Sequence, residues 1–248
     1  MLKSVIEMMI AHEPNLHKSS LFACLDLDLH LERIAGGNES EVYLTDDSRF
    51  VVKLKNEPYS SPNAALNEAN ALRAAAQNFA NIIGQEHSTP SYFLITGDDD
   101  HHSFVVIVQP YLDQSQPLFY IDYASLEPKT RKELASQLQE IISRSLRSYL
   151  RTGIIPDIYG LSAASPEERA RRKKRSQIPA RLWSFFIRRT LMRSHNLLWT
   201  PEEQVRLIDY DPVRRSPMYK RAYYSARAML FFRDLFFIWI MKHTGWAY

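Results

Sequence analysis

Two residues thirteen positions apart, Asn196 and Asp209, carry the oxygen chemistry that stands out in this chain. Asn196 opens the run N-L-L-W-T-P-E-E-Q-V-R-L-I-D-Y-D. Leu197 to Trp199 is apolar, Thr200 to Gln204 is a polar turn, and Val205 to Ile208 is apolar again and ends on Asp209. Two short strands around a polar turn predict a β-hairpin. Its ends lie close together, so an amide oxygen and a carboxylate would be presented side by side. Such hard oxygen ligands suit Mg²⁺ carrying a nucleotide phosphate; the same pattern also serves as a surface hairpin with polar ends.

A second set of chemical groups lies in the first half of the chain. Lys53 sits within Phe50-Val51-Val52-Lys53-Leu54, an apolar strand pattern. Val52 and Leu54 share one face, and Val51, Lys53 and Lys55 share the other. The lysine either snorkels to solvent or points inward, where a carboxylate or phosphate would have to offset its desolvation. Gly36-Gly37-Asn38 separates two strand patterns, Leu29 to Ile34 and Glu41 to Leu44. A glycine loop between strands excludes the Rossmann and Walker arrangements, in which the loop opens a helix. It fits either a flap whose backbone N–H groups face phosphate or an ordinary hairpin loop.

These groups need elements to hold them. Ser60-Ser61-Pro62-Asn63 caps a predicted helix over Ala64 to Ala80, and Glu68 is the only acid in that stretch. Two further strands, Tyr92 to Thr96 and Phe104 to Val108, flank Gly97-Asp98-Asp99-Asp100-His101-His102. That cluster reads as a metal site or as a solvated hairpin tip. Gln109-Pro110-Tyr111-Leu112 leaves the second of these strands extended. A long helix follows from about Pro128, with Leu134, Leu138, Ile141, Ile142, Leu146, Tyr149 and Leu150 at helical spacing and Gly153 as its stop. Pro156-Asp157-Ile158-Tyr159-Gly160 is irregular. Tyr223 to Met241 closes the chain as a core helix, interrupted by Arg233 and Asp234 and too short to span a bilayer with about 20 apolar residues; the alternative reading of the same run is peripheral contact with a membrane.

Composition sets the frame. The chain has 248 residues, 45% hydrophobic and 24% charged, enough apolar material for a sizeable core. One cysteine, Cys24, excludes an internal disulfide framework and points to a reducing, cytoplasmic setting. The N-terminus lacks the long apolar region of a signal peptide. The net charge is +3, but residues 161–195 hold ten Lys/Arg against Glu167 and Glu168, a local +8 that leaves the remainder at 3 − 8 = −5. A basic block on an acidic body predicts an anionic partner at 165–193, namely nucleic acid, an acidic protein or a membrane surface, or else a solvated amphipathic helix pair.

Taken in order, these features resemble the protein-kinase-like superfamily over roughly residues 29–240. The glycine stretch G-G-N-E-S-E-V-Y-L is similar to that of small atypical branches, the RIO-type and aminoglycoside-phosphotransferase-like kinases. There Ser or Ala replaces the last glycine, as Ser40 does here. The resemblance implies an α+β bilobal fold, with an antiparallel N-lobe sheet carrying one helix and a compact, mainly helical C-lobe. The division would be 1–28 as a lead segment, 29–112 as N-lobe and 113–248 as C-lobe. It implies ATP and Mg²⁺ as cofactors. Gly36, Gly37, Asn38, Ser40 and Val42 would cover the nucleotide, with Lys53 on its phosphates and Glu68 as the lysine's partner. Gln109 and Tyr111 would receive adenine, and Asn196 and Asp209 would hold the metal. Tyr210-Asp211 departs from the usual Phe-Gly, and the short stretch that follows points to a compact bacterial or atypical kinase.

The catalytic loop departs further. The family carries an aspartate about five residues before the metal-binding asparagine, but Leu191 stands there and Arg193-Ser194-His195 offers no carboxylate. Asp157 is the candidate base, with the basic block inserted between it and Asn196; such an insertion costs little closure entropy when its ends stay close. Two functions remain open at this level. One is an ATP-dependent phosphotransferase acting on a hydroxyl of a protein or small molecule. The other is a nucleotide-binding pseudokinase that acts through its basic insert.

Overall fold

The computed structural model describes residues 31–36, 40–55, 58–97, 103–155, 158–159, 190–210 and 216–244. The lead segment 1–28, Gly37 and Asn38, the Asp98–His102 cluster, Asp157 and residues 161–189 of the basic block lie outside them.

The first compact unit comprises residues up to Ala76 together with Pro90–Asp113. It is built on a five-stranded antiparallel sheet in the order β1-β2-β3-β5-β4. The strands are β1 (Leu31–Gly36), β2 (Ser40–Thr45), β3 (Phe50–Lys55), β4 (Tyr92–Gly97) and β5 (Ser103–Pro110). Helix α1 (Pro62–Ile83) follows β3. Ser61 starts it: the Ala64 N–H donates to Ser61 Oγ at 3.2 Å and the Ala65 N–H to the Ser61 carbonyl at 3.1 Å, with Pro62 at the first helical position.

The sheet has two apolar faces because its β-branched strands are apolar on both sides. Phe50, Leu94, Val106 and Val108 pack with Val52, Leu54 and Tyr92 on one face. On the other, Phe93, Val105 and Ile107 pack against Ala65, Ala69 and Leu72 of α1. The small residues of α1 let its axis approach the sheet closely.

The second unit comprises Gln77–Thr89 and the chain from Gln114 onward. Its elements are β6 (Gln116–Pro117), α2 (Pro128–Thr152), β7 (Leu197–Trp199), β8 (Val205–Leu207) and α3 (Pro217–Thr244). Helix α2 begins on Pro128 and ends on Gly153, which adopts φ 72° and sends its N–H to the Tyr149 carbonyl at 2.8 Å. Helices α2 and α3 run antiparallel, since Tyr149 meets Ser225 while Ser136 meets Lys242. Leu134, Leu138, Ile141 and Ile142 of α2 and Leu230, Phe231, Ile238 and Met241 of α3 are fully buried.

The expected α+β class is present: five antiparallel strands with one helix after the third, then a mainly helical part. Residues 77–89 belong with the second unit. The reason is local. Phe79 packs on Tyr210 at 6.5 Å, the His87 ring meets the Val205 carbonyl at 3.0 Å, and the Thr89 N–H donates to the Leu207 carbonyl at 3.1 Å. Helix α3 also begins six residues before the expected Tyr223.

Candidate active site

In the first unit, strand register decides which way Lys53 points. Directly opposed residues of antiparallel strands share a face. Lys53 pairs with Val42 of β2 and with Ile107 of β5, and Ile107 pairs with Phe93 of β4. Ile107 and Phe93 both lie in the cluster covered by α1. Lys53 and Val42 therefore stand on the sheet face that packs against α1. Glu68 lies three residues after Ala65, one before Ala69 and four before Leu72, within the α1 stripe that meets the sheet. Lys53 and Glu68 are both half-buried. The lysine and the glutamate thus stand on the two surfaces, sheet face and helix stripe, that face each other in the first unit.

Gln109 and Tyr111 follow on the exit of β5. The Gln109 side chain is buried and donates from Nε2 to Ser91 Oγ at 2.7 Å. The Tyr111 N–H donates to the Arg49 carbonyl at 2.7 Å. Both groups thus tie the strand exit to neighbouring chain. Gly36 ends β1 opposite Glu41, and Ser40 opens β2 opposite Lys55. Gly37 and Asn38 lie outside the described residues.

In the second unit the predicted hairpin is present, extended by β6 into a three-stranded sheet. Leu197 pairs with Leu207 and Trp199 with Val205, and all four are buried. The Ile208 N–H donates to the Asn196 carbonyl at 3.0 Å. Asn196 is therefore opposite Ile208, and Asp209 is the next residue at the same open end. Both are half-buried. Among the described residues, no three or more His, Cys, Asp or Glu gather as a metal site. An amide and a carboxylate alone fit Mg²⁺, which keeps several waters and takes its remaining ligands from phosphate.

The hairpin is anchored by residues that sequence patterns left unnoticed. Ser194 is fully buried; its Oγ donates to the Ile158 carbonyl at 2.6 Å and accepts the N–H groups of Asn196 and Leu197 at 3.0 and 3.1 Å. One hydroxyl thus stitches the segment that follows Asp157 to the backbone of Asn196. The Tyr123 hydroxyl donates toward the Met192 carbonyl at 2.6 Å. The Leu191 N–H donates to Asp234 Oδ2 at 2.9 Å. Asp234 is buried and pairs with Arg233 at 2.7 Å; burial pushes its carboxyl above the ordinary range, against the pull of Arg233. The sequence signal was a lone acid inside an apolar helix.

Past Asp209, Tyr210 is buried, and burial raises its hydroxyl above the usual value. Its oxygen accepts the Thr89 N–H at 2.6 Å and stands 2.8 Å from Ser88 Oγ. Tyr210 is thus a fixed polar anchor. On the other side of Asn196, His195 stacks on Phe119 at 4.4 Å and meets the edge of Tyr120 at 5.9 Å. Burial lowers the His195 pKa. Asp157 lies outside the described residues.

No protein-family model matches the sequence, and no curated protein matches it. Among solved structures, the chain is similar to a spectinomycin phosphotransferase in complex with ADP and spectinomycin. The identity is 15%, the match covers 87% of this chain and 82% of that one, and the TM-score is 0.41. What that protein binds and phosphorylates is a fact about that protein.

Proposed function

We propose that this chain is an ATP-dependent phosphotransferase that moves a γ-phosphate to a hydroxyl acceptor. The observation that carries the reading is the open end of the β7–β8 hairpin, where register makes Asn196 and Asp209 neighbours and Ser194 joins the Asn196 backbone to Ile158. The orientation of Lys53 toward the helix that carries Glu68 supports it independently.

In this reading Lys53, oriented by Glu68, binds phosphate oxygens, and Asn196 and Asp209 hold Mg²⁺. The bound metal supplies positive charge to the phosphates. Gly36, Gly37, Asn38, Ser40 and Val42 shield the nucleotide from water, and the chain around Gln109 and Tyr111 meets the base. Asp157 orients the acceptor hydroxyl and takes its proton as the acceptor oxygen bonds to the γ-phosphorus and the bond to the ADP oxygen breaks. Transfer of this kind depends on positioning and charge stabilisation, for which these few groups suffice.

The test is ADP formation from Mg·ATP by the purified chain. Lys53→Met and Asp209→Ala should each lower it by roughly a hundredfold or more. Turnover that survives both substitutions overturns the assignment. Nucleotide binding without any ADP formation would favour the pseudokinase reading. The basic block at 165–193 is assigned here to the approach of an anionic acceptor or partner, and its deletion should change acceptor use while leaving nucleotide binding intact.

A further inference from the structure

Helix α3 is apolar on two opposite sides, whereas a helix on the surface of a globular protein needs only one. Leu230, Phe231, Ile238 and Met241 form the core side. On the far side Met229, Phe232, Phe236 and Trp239 are 64%, 65%, 57% and 53% exposed. They recur at three- and four-residue steps, so they line a single ridge about 15 Å long. Scattered exposed apolar residues need no explanation, but a continuous ridge of Met, Phe, Phe and Trp marks a binding surface.

Charge narrows the occupant. Residues 217–244 contain one acid, Asp234, and it is buried against Arg233. The exposed charges near the start of α3 are Lys220 and Arg221, and Lys242 and His243 stand in its last turn. On α2, Leu150 is 83% exposed between exposed Arg147 and Arg151. The Tyr149–Ser225 hydrogen bond of 2.9 Å ties that end of α2 to α3. The surface is thus an apolar ridge bounded by cations. A second copy of this chain fits it poorly, because cations would meet cations whether two α3 ridges ran parallel or antiparallel. Among the described residues, no helix is long and apolar enough to cross a membrane.

We propose that the outer ridge of α3 docks on an anionic lipid bilayer, with the helix lying in the plane of the surface. Phe232, Phe236 and Trp239 enter the boundary between headgroups and acyl chains, and Lys220 and Arg221 meet anionic headgroups. A cationic helix with an aromatic ridge has the chemistry of an interfacial helix. The inference stands apart from the proposed phosphotransferase activity and is read without it.

Flotation of the full chain with vesicles tests it. The chain should float with phosphatidylcholine vesicles containing about one-third phosphatidylglycerol, not with phosphatidylcholine alone, and added salt should weaken the association. Phe232→Ser/Phe236→Ser should lower the bound fraction by about tenfold or more while the melting temperature is kept. Lys220→Glu/Arg221→Glu should weaken binding to the anionic vesicles. A readout free of folding effects is quenching of tryptophan emission by brominated lipid in the wild-type chain, most of which Trp239→Phe should remove. Absence of wild-type binding to anionic vesicles overturns the proposal. So does binding that a folded Phe232→Ser/Phe236→Ser variant retains, or quenching unchanged in Trp239→Phe. A wild-type dimer in light scattering that the double variant converts to monomer overturns it in favour of self-association. Binding to polyglutamate in place of vesicles overturns it in favour of an acidic protein.

Discussion

Ser194 shows how a residue without chemistry of its own can govern a site. Its one hydroxyl serves the Ile158 carbonyl and the N–H groups of Asn196 and Leu197 in a fully buried position. Ser194→Ala leaves these groups short of a partner, which costs about 1–3 kcal/mol. At about 2–4 °C per kcal/mol, thermal melting should register the loss. On the proposed function, ADP formation at temperatures well below melting should fall by more than the folded fraction accounts for, because Asn196 loses the bond that fixes its backbone. Equal loss of activity and folded fraction would make Ser194 a purely structural residue. A serine in Arg193-Ser194-His195 has no pattern that separates it from a loop serine, so sequence could not single it out. Lys53 is the contrasting case: its presence in an apolar strand was legible, and its direction was not. Strand register supplies that by pairing it with Ile107 beneath α1.

At the scale of elements, the turn between α1 and the 3-10 turn Gln85–His87 is set by Gly84, at φ 105° and ψ 145°. That conformation is essentially restricted to glycine. A Cβ there would also meet the Arg144 guanidinium and the Glu86 carboxylate. Arg144 donates to the Ile83 carbonyl at 2.7 Å and to Glu86 at 2.6 Å, so it joins α2 to the end of α1. Gly84→Ala should therefore destabilise the chain by about 2 kcal/mol or more in denaturant unfolding. Gly153→Ala, whose Cβ would meet nothing within 4 Å, should cost about 1 kcal/mol through its left-handed backbone alone. Equal losses would mean that the Arg144 bridge carries no weight. The helix bounded by Pro128 and Gly153 and the Leu197–Leu207 hairpin were readable because caps, stops and alternation are local signals. Strand β6 was not, because a two-residue strand exists only through its pairing with β7.

At the scale of the molecule, ligand linkage tests the proposed function without choosing an acceptor. A ligand that binds only the folded state adds about 2.7 kcal/mol at a hundredfold excess over its dissociation constant. Mg·ATP should therefore raise the melting temperature of the wild-type chain by several degrees, and chelation of the metal should reverse much of the rise. Lys53→Met and Asp209→Ala should each shrink the shift, and Gln109→Ala should lower baseline stability while leaving most of the shift in place. A shift of the same size in all variants would remove both Lys53 and Asp209 from the nucleotide site.

What the sequence determined by itself was the order of elements and the residue types at their ends: a five-strand half with one helix, a long helix, and a hairpin with an amide at one end and a carboxylate at the other. Those follow from periodicity, turn residues and caps, which act over a few neighbouring positions. Tertiary structure alone decided which face Lys53 occupies, that residues 77–89 join the second unit through Tyr210 and Val205, and that one buried serine links Ile158 to Asn196. It also decided that the apolar residues of α3 divide into a buried side and an exposed one. Such outcomes depend on which segments distant in the chain pack together, and no local pattern encodes that.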